Sequence, residues 1–285
     1  WREQYCGVFS LQKDGVTYYF LDNEYYFKRP SLYGFFDDGE RYAFYCMAVM
    51  EMMPKIGFFP DVLHAHDWQS ALSIIYLRTK YNWMQEYRGI KTVYTIHNIA
   101  YQGQFGESEL TGTFALPQGW YDGGLGYEFE GRQDINLMKA AIECADRVST
   151  VSPRYAEEIL TPEYAHGLDG ILRRNRAKLS GILNGIDYVY YDPRHDKGIA
   201  KTFTARSLHN KAQNKLALQR ETGLPEREDV PLLAVISRLA SHKGLDLITA
   251  CIARIVAEND VQLVVLGKGE AGYEFFFTDL QQRFP

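Results

Sequence analysis

No apolar run in the 285-residue chain approaches the ~20 residues of a membrane-spanning helix, and no signal-peptide pattern opens it. A membrane partner is therefore not expected, and the cytoplasm is the expected compartment. The four cysteines, Cys6, Cys46, Cys144 and Cys251, form no C-x-x-C pair and have no histidine at ligand spacing. That scatter predicts reduced thiols and no metal site. Basic residues are outnumbered, 31 Lys and Arg against 36 Asp and Glu, giving a net charge of -5. A nucleic-acid partner normally brings a basic surplus, so none is expected. Proline and glycine nowhere gather into a low-complexity stretch, and no internal repeat of fixed period is present. The chain starts at Trp1 rather than methionine and stops at Pro285, after a helix-like aromatic stretch over 273–284. It reads as a fragment that lacks both ends.

What is present is a regular alternation. Residues 5–11 and 16–21 are apolar runs around Gln12-Lys13-Asp14-Gly15, the composition of a hairpin turn. Residues 40–53 suit a mostly apolar helix, which Pro54 and Gly57 are expected to end. Beyond it, β-rich runs at 62–65, 92–96, 147–151 and 179–183 alternate with helical stretches at 69–81, 135–144, 153–160 and 168–176. Such alternation predicts a parallel sheet covered on both faces. Ser152-Pro153 supplies an N-cap followed by proline at the first helical position. After Asn184-Gly185-Ile186-Asp187 the chain turns polar up to a helix over 206–221. A second alternation follows, with strand 232–236, helix 245–258 and strand 261–266. The expectation is an α/β chain of two domains, 1–184 and 185–285, the second incomplete. The run Arg173, Arg174, Arg176 and Lys178 reads as a solvated helix end.

In open parallel sheets, ligands bind beyond the carboxyl ends of the strands. Several strand ends here carry polar groups. The first runs into His64-Ala65-His66-Asp67-Trp68, and of its histidines His66 is better placed for a ligand, while His64 reads as a satisfied interior residue. The next ends in His97-Asn98, followed by Tyr101-Gln102-Gly103. Asn184-Gly185 is equally readable as a simple turn. In the second domain, Arg238 and Lys243 lie five positions apart between a strand and a helix opened by Gly244. Two cations beside a helix N-terminus suit a diphosphate, although such a pair can also be solvated loop charge. Gly267 and Gly269, one strand-helix-strand unit later, are a weak signal alone and also readable as a tight turn, but on the same edge they would line it with phosphate-binding groups. Of Tyr18, Tyr19, Tyr25, Tyr26 and Tyr33, most read as core or edge residues, with Tyr33 the one candidate for a ligand contact.

The segments HAHDW (64–68), TIHNIAYQG (95–103), ADRVSTVSPRYAEEI (145–159), LSGILNGID (179–187) and SRLASHKGLDLI (237–248) together resemble the bacterial glycogen synthase and plant starch synthase family. The resemblance implies a GT-B fold, two Rossmann-like domains facing a cleft, the C-terminal one incomplete. It implies transfer of glucose from ADP-glucose to the non-reducing end of an α-1,4-glucan with retention, and no cofactor beyond that donor. Carried over by position, Arg238 and Lys243 would neutralise the donor phosphates. His66 would contact the donor glucose, with its carbonyl near the developing oxocarbenium. Asn184 would lie beside the sugar, Tyr101 and Gln102 would line the cleft, and Asn98 would belong to the same rim. A plant source would place the protein in plastids. The alternative is a non-catalytic glucan- or nucleotide-binding fragment, since the family's Lys-x-Gly-Gly-Leu loop and late paired-glutamate segment are absent from these 285 residues. A pyridoxal-phosphate-dependent phosphorylase would need a cofactor-lysine segment that is also missing.

Overall fold

Asp14 and Gly15 both take positive φ, 53° and 78°, in the computed structural model, which describes residues 3–129 and 132–285. Two consecutive positive-φ residues match the right-handed twist of flanking strands. Strands β1 (Gly7–Lys13) and β2 (Val16–Asp22) accordingly pair antiparallel. Both faces of this hairpin are largely exposed, including Tyr18 and Tyr19. Of the five early tyrosines only Tyr26, in the short helix α1 (Glu24–Phe27), is a core residue, while Tyr18 and Tyr19 are edge residues of this two-stranded sheet and Tyr25 and Tyr33 are exposed outside it.

Helix α2 (Asp38–Ile56) runs through Pro54 instead of stopping at it, and ends at Gly57 with φ 66°. Proline removes the N–H that would bond the carbonyl four residues earlier. Here that carbonyl, on Met50, accepts the hydroxyl of buried Tyr87 at 2.8 Å, so the helix continues without an orphaned acceptor. Tyr87→Phe is expected to cost about 1–3 kcal/mol, the range for a buried acceptor left unsatisfied, read as a shift in urea midpoint.

The first unit, Trp1–Asn184, is built on a four-stranded parallel sheet of order β3-β4-β8-β9. Strand β3 (Val62–His66) leads into α3 (Asp67–Tyr76), which widens into a π turn over Leu77–Tyr81, and then comes β4 (Lys91–Ile96). A small antiparallel sheet, unforeseen in the sequence, interrupts the alternation. It comprises β5 (Gln104–Gly106), then, after helix α4 (Glu109–Gly112), β6 (Gly126–Phe129) and β7 (Arg132–Asn136), with β7 central. Helix α5 (Leu137–Cys144) therefore starts two residues later than its pattern predicts, because Ile135 and Asn136 belong to β7 and Asn136 caps the helix by accepting the Lys139 N–H.

Strand β8 (Arg147–Thr150) leads to Ser152, whose hydroxyl accepts the Tyr155 N–H at the start of α6 (Pro153–Glu158). Helix α7 (Asp169–Arg174) precedes β9 (Leu179–Gly181), which is two residues shorter than expected. Arg173, Arg174 and Arg176 pair with Asp169, Glu143 and Glu157. Alternation along the strands gives the sheet two unlike faces. Ala65, Tyr94, Ile96 and Val148 join Met50, Ile74, Ile75, Met138 and Ile142 in one apolar core. The opposite face carries His64, His66, Thr95 and Ser149, and is polar toward the carboxyl ends.

The second unit, Gly185–Pro285, contains α8 (Lys211–Thr222), β10 (Leu232–Ile236), α9 (Leu245–Glu258), β11 (Gln262–Leu266) and α10 (Ala271–Arg283). Helix α8 begins at Lys211, later than residue 206, after a 3-10 turn over Leu208–Asn210. Strands β10 and β11 pair in parallel, and α9 provides the crossover. Leu239, Leu245, Ile252 and Leu280 are its buried apolar anchors, with Val230 beneath the start of β10. Among the described residues no helix is long and apolar enough to cross a membrane.

Candidate active site

In the first unit the polar strand ends converge as a hydrogen-bonded group. His66 is the last residue of β3 and its backbone is held twice by Ser70. The Ser70 hydroxyl accepts the His66 N–H at 2.5 Å and donates to the His66 carbonyl at 2.6 Å. Asp67, at φ 54°, turns its carboxylate back to accept the N–H groups of His97 (2.8 Å) and Asn98 (3.3 Å). The loop after β4 is thereby tied to the end of β3. Asn98 accepts the Ala100 N–H through its side chain, which fixes the bend that presents exposed Tyr101. Among the imidazoles, His66 Nδ1 lies 3.0 Å from His97 Nε2, and the His64 ring packs tilted against that of His66 with centroids 4.1 Å apart. His64 is exposed rather than interior as expected, because its face of the sheet is the polar one. It is nonetheless satisfied, with Nε2 2.7 Å from the Thr95 hydroxyl.

Gln102 departs from its expected place as a lining residue. It is buried, and its amide is spent on the carbonyls of Ile99 and His166 and on Asn136, whose Nδ2 donates to it at 2.6 Å. Backbone bonds from Leu137 and Met138 to the carbonyls of Gly103 and Gln102 dock this loop on the start of α5. Gln102 thus holds the rim that displays Tyr101 and Asn98. Asn136 does the same from β7, and no motif in the sequence marks it. Trp68 is buried beneath the loop, edge-on to Tyr42 and against Phe105. Tyr33 is exposed in the loop before α2, and that loop is clamped by Arg29 on Asp37 and by buried Arg41 on Asp38.

Partial burial depresses the basicity of both His64 and His66. For His64 the charge of His97 adds to this; for His66, His64 and His97 add and Asp67 opposes. A depressed histidine contributes its stability fully above the ordinary value of 6.5 and loses it as pH falls through the folded value, since the unfolded chain takes up protons first. The chain is therefore expected to melt at lower temperature at about pH 5.5 than at about pH 7.5. The fall should be smaller in a His64→Gln, His66→Gln double variant; equal falls would remove the histidines from the account.

In the second unit the end of β10 and the end of β11 are stitched together. Leu239 donates to the Lys268 carbonyl at 3.0 Å and accepts from the Glu270 N–H at 2.7 Å. A Cβ on Gly267 would lie 2.1 Å from the Ser237 carbonyl oxygen, and one on Gly269 2.2 Å from that of Leu239. The G-x-G spacing is thus required for two loops to touch. Exposed Arg238 and Lys243 lie on the β10 loop, and Gly244 takes φ 71° to start α9. Two carboxylates meet the same backbone, Glu270 accepting the Ser241 N–H and Glu274 the Gly269 N–H. Asn184, at the unit boundary, is exposed in irregular chain. Among the described residues no group of three or more His, Cys, Asp or Glu could hold a metal ion.

A family model described as the starch synthase catalytic domain matches residues 1–174. The chain belongs to that family. It is 48% identical over its whole length to a glycogen synthase of Ligilactobacillus salivarius, of which it covers 59%, and 47% identical to one of Geobacillus stearothermophilus, of which it covers 58%. It therefore spans somewhat more than half the length of these relatives. A solved structure, the catalytic domain of starch synthase IV from Arabidopsis thaliana bound to ADP and acarbose, superposes with a TM-score of 0.88 at 31% identity. That match covers 98% of this chain and 57% of the plant one, and the fold class of this chain is GT-B.

Proposed function

We propose that this chain carries the donor-phosphate and sugar-contacting parts of a retaining glucosyltransferase that moves glucose from ADP-glucose to the non-reducing end of an α-1,4-glucan. The observation that carries the reading is the pair of strand-end sites in a starch synthase family chain, imidazoles on one unit and Arg238 with Lys243 on the other. In this reading the two cations stabilise the diphosphate as the C1–O bond breaks, where charge-assisted bonds are strongest. The His66 carbonyl faces the developing oxocarbenium, oriented by Ser70, and His66 with Asn98, Tyr101 and Asn184 contacts sugar. The acceptor hydroxyl attacks from the side the diphosphate leaves and gives its proton to a phosphate oxygen. Asp67 is no rival nucleophile, being committed to two backbone amides. ADP-glucose is a substrate, and the proposal includes no cofactor.

A second reading, a glucan- or nucleotide-binding piece without turnover, is favoured for the chain by itself by the 59% coverage of its relative. Labelled ADP-glucose and maltopentaose separate the two. The chain extended to its relatives' length is expected to convert label into α-linked maltohexaose, and the 285-residue chain to bind without transfer. Label recovered from the extended protein only as free glucose would overturn the transferase reading.

A further inference from the structure

We propose that His97 is a positioning residue that locks the His66 imidazole in one orientation and one tautomer by sharing a single proton across the Nδ1 to Nε2 contact. Both rings rise from pinned backbone. Ser70 holds the N–H and carbonyl of His66, and Asp67 holds the N–H of His97. At 3.0 Å the two nitrogens are at hydrogen-bond distance, so one must carry a proton and the other must not. Each neutral imidazole has one N–H, so fixing the proton on one nitrogen fixes the role of the other. His66 Nε2 and His97 Nδ1 are thereby given opposite roles, one donor and one acceptor, within a single pair.

A second support lies behind His66. The His64 ring lies against it, centroids 4.1 Å apart and planes tilted by 35°, and is itself anchored by a chain of hydroxyls, Thr95 at 2.7 Å and then Ser149 a further 2.6 Å on. Thr95 and Ser149 are buried, at 8% and 6% exposure, so this chain crosses β3, β4 and β8 beneath the site. His66 is thus faced by His64 from its own strand, by His97 from the β4 loop and by the Asp67 carboxylate from the start of α3. Partial burial and the two histidines all oppose a positive charge on it, which favours the neutral state that the shared proton requires.

For its catalytic consequence the inference rests on the function proposed above, but its test needs no ligand. Long-range nitrogen-15 NMR of the histidines in the unliganded chain distinguishes protonated from bare ring nitrogens. Wild-type His66 is expected to show one nitrogen of each kind without averaging. In His97→Ala the two signals should move toward each other as tautomers mix, and the His66 titration should shift upward. His97→Gln, whose amide can occupy the Nε2 position, should restore the single-tautomer pattern. Averaged signals in the wild type, or an unchanged pattern in His97→Ala, would overturn the proposal whatever the protein transfers. Should His97→Ala not fold, Thr95→Val is the second variant; it is expected to loosen His64 and broaden the His66 signals, and an unchanged His66 spectrum there would count against the support from His64.

Discussion

Replacing Arg238 and Lys243 together with alanine is expected to weaken ADP binding by about two to four orders of magnitude. The size follows from two charge-assisted contacts of ~1.5–3 kcal/mol each, at ~1.4 kcal/mol per tenfold in affinity. Both side chains are exposed, on a loop whose shape is set by Leu239, Gly267 and Gly269. Because they are exposed, removing them should cost no more than about 1 kcal/mol of stability, the scale of exposed polar and ionic contacts. Calorimetric titration with ADP and a urea melt on the same sample separate the two effects. An affinity loss below about tenfold, in a protein that melts normally, would mean the cations are solvated loop charges.

Gly103→Ala is expected to destabilise the first unit strongly. Gly103 sits at φ 65°, where a side chain is strained, and its Cβ would fall 2.8 to 3.0 Å from three atoms of Trp68. Trp68 has little room to yield, because it is buried against Tyr42 and Phe105. Backbone strain of ~1–3 kcal/mol plus overpacking of ~1–3 kcal/mol gives a loss of about 2–6 kcal/mol. Gly57 offers the comparison, with φ 66° and nothing within 4 Å of its added Cβ, so Gly57→Ala carries the strain alone. Urea denaturation of the two variants isolates the Trp68 contact. Equal losses would show that Trp68 does not hold the rim loop.

Local chemistry made several elements legible. Asp14-Gly15 carries its turn in its own residues, and Ser152-Pro153 carries its helix start, so neither needs a tertiary partner to be read. Pro54 reads as a helix stop because the group that satisfies Met50 is a tyrosine 37 residues from it. His64 followed the same logic. Alternation put it on one face of a strand, but only neighbouring Thr95 and Ser149 show that face to be polar. At the site, the motif residues sit at strand ends as their positions implied, whereas Gln102 turns inward because Asn136, 34 residues on, receives it. Asp67 carries no local signal for the same reason. Its role is visible only once its positive φ brings the carboxylate under His97 and Asn98.

The central claim, that the β10 loop grips the diphosphate of a nucleotide donor, is tested most directly by titrating ADP and adenosine separately into the wild-type chain. The phosphate clamp predicts binding of ADP, weakening as salt is raised, and no measurable binding of adenosine at the same concentrations. Equal affinity for the two, or ADP binding that salt leaves unchanged, would contradict it.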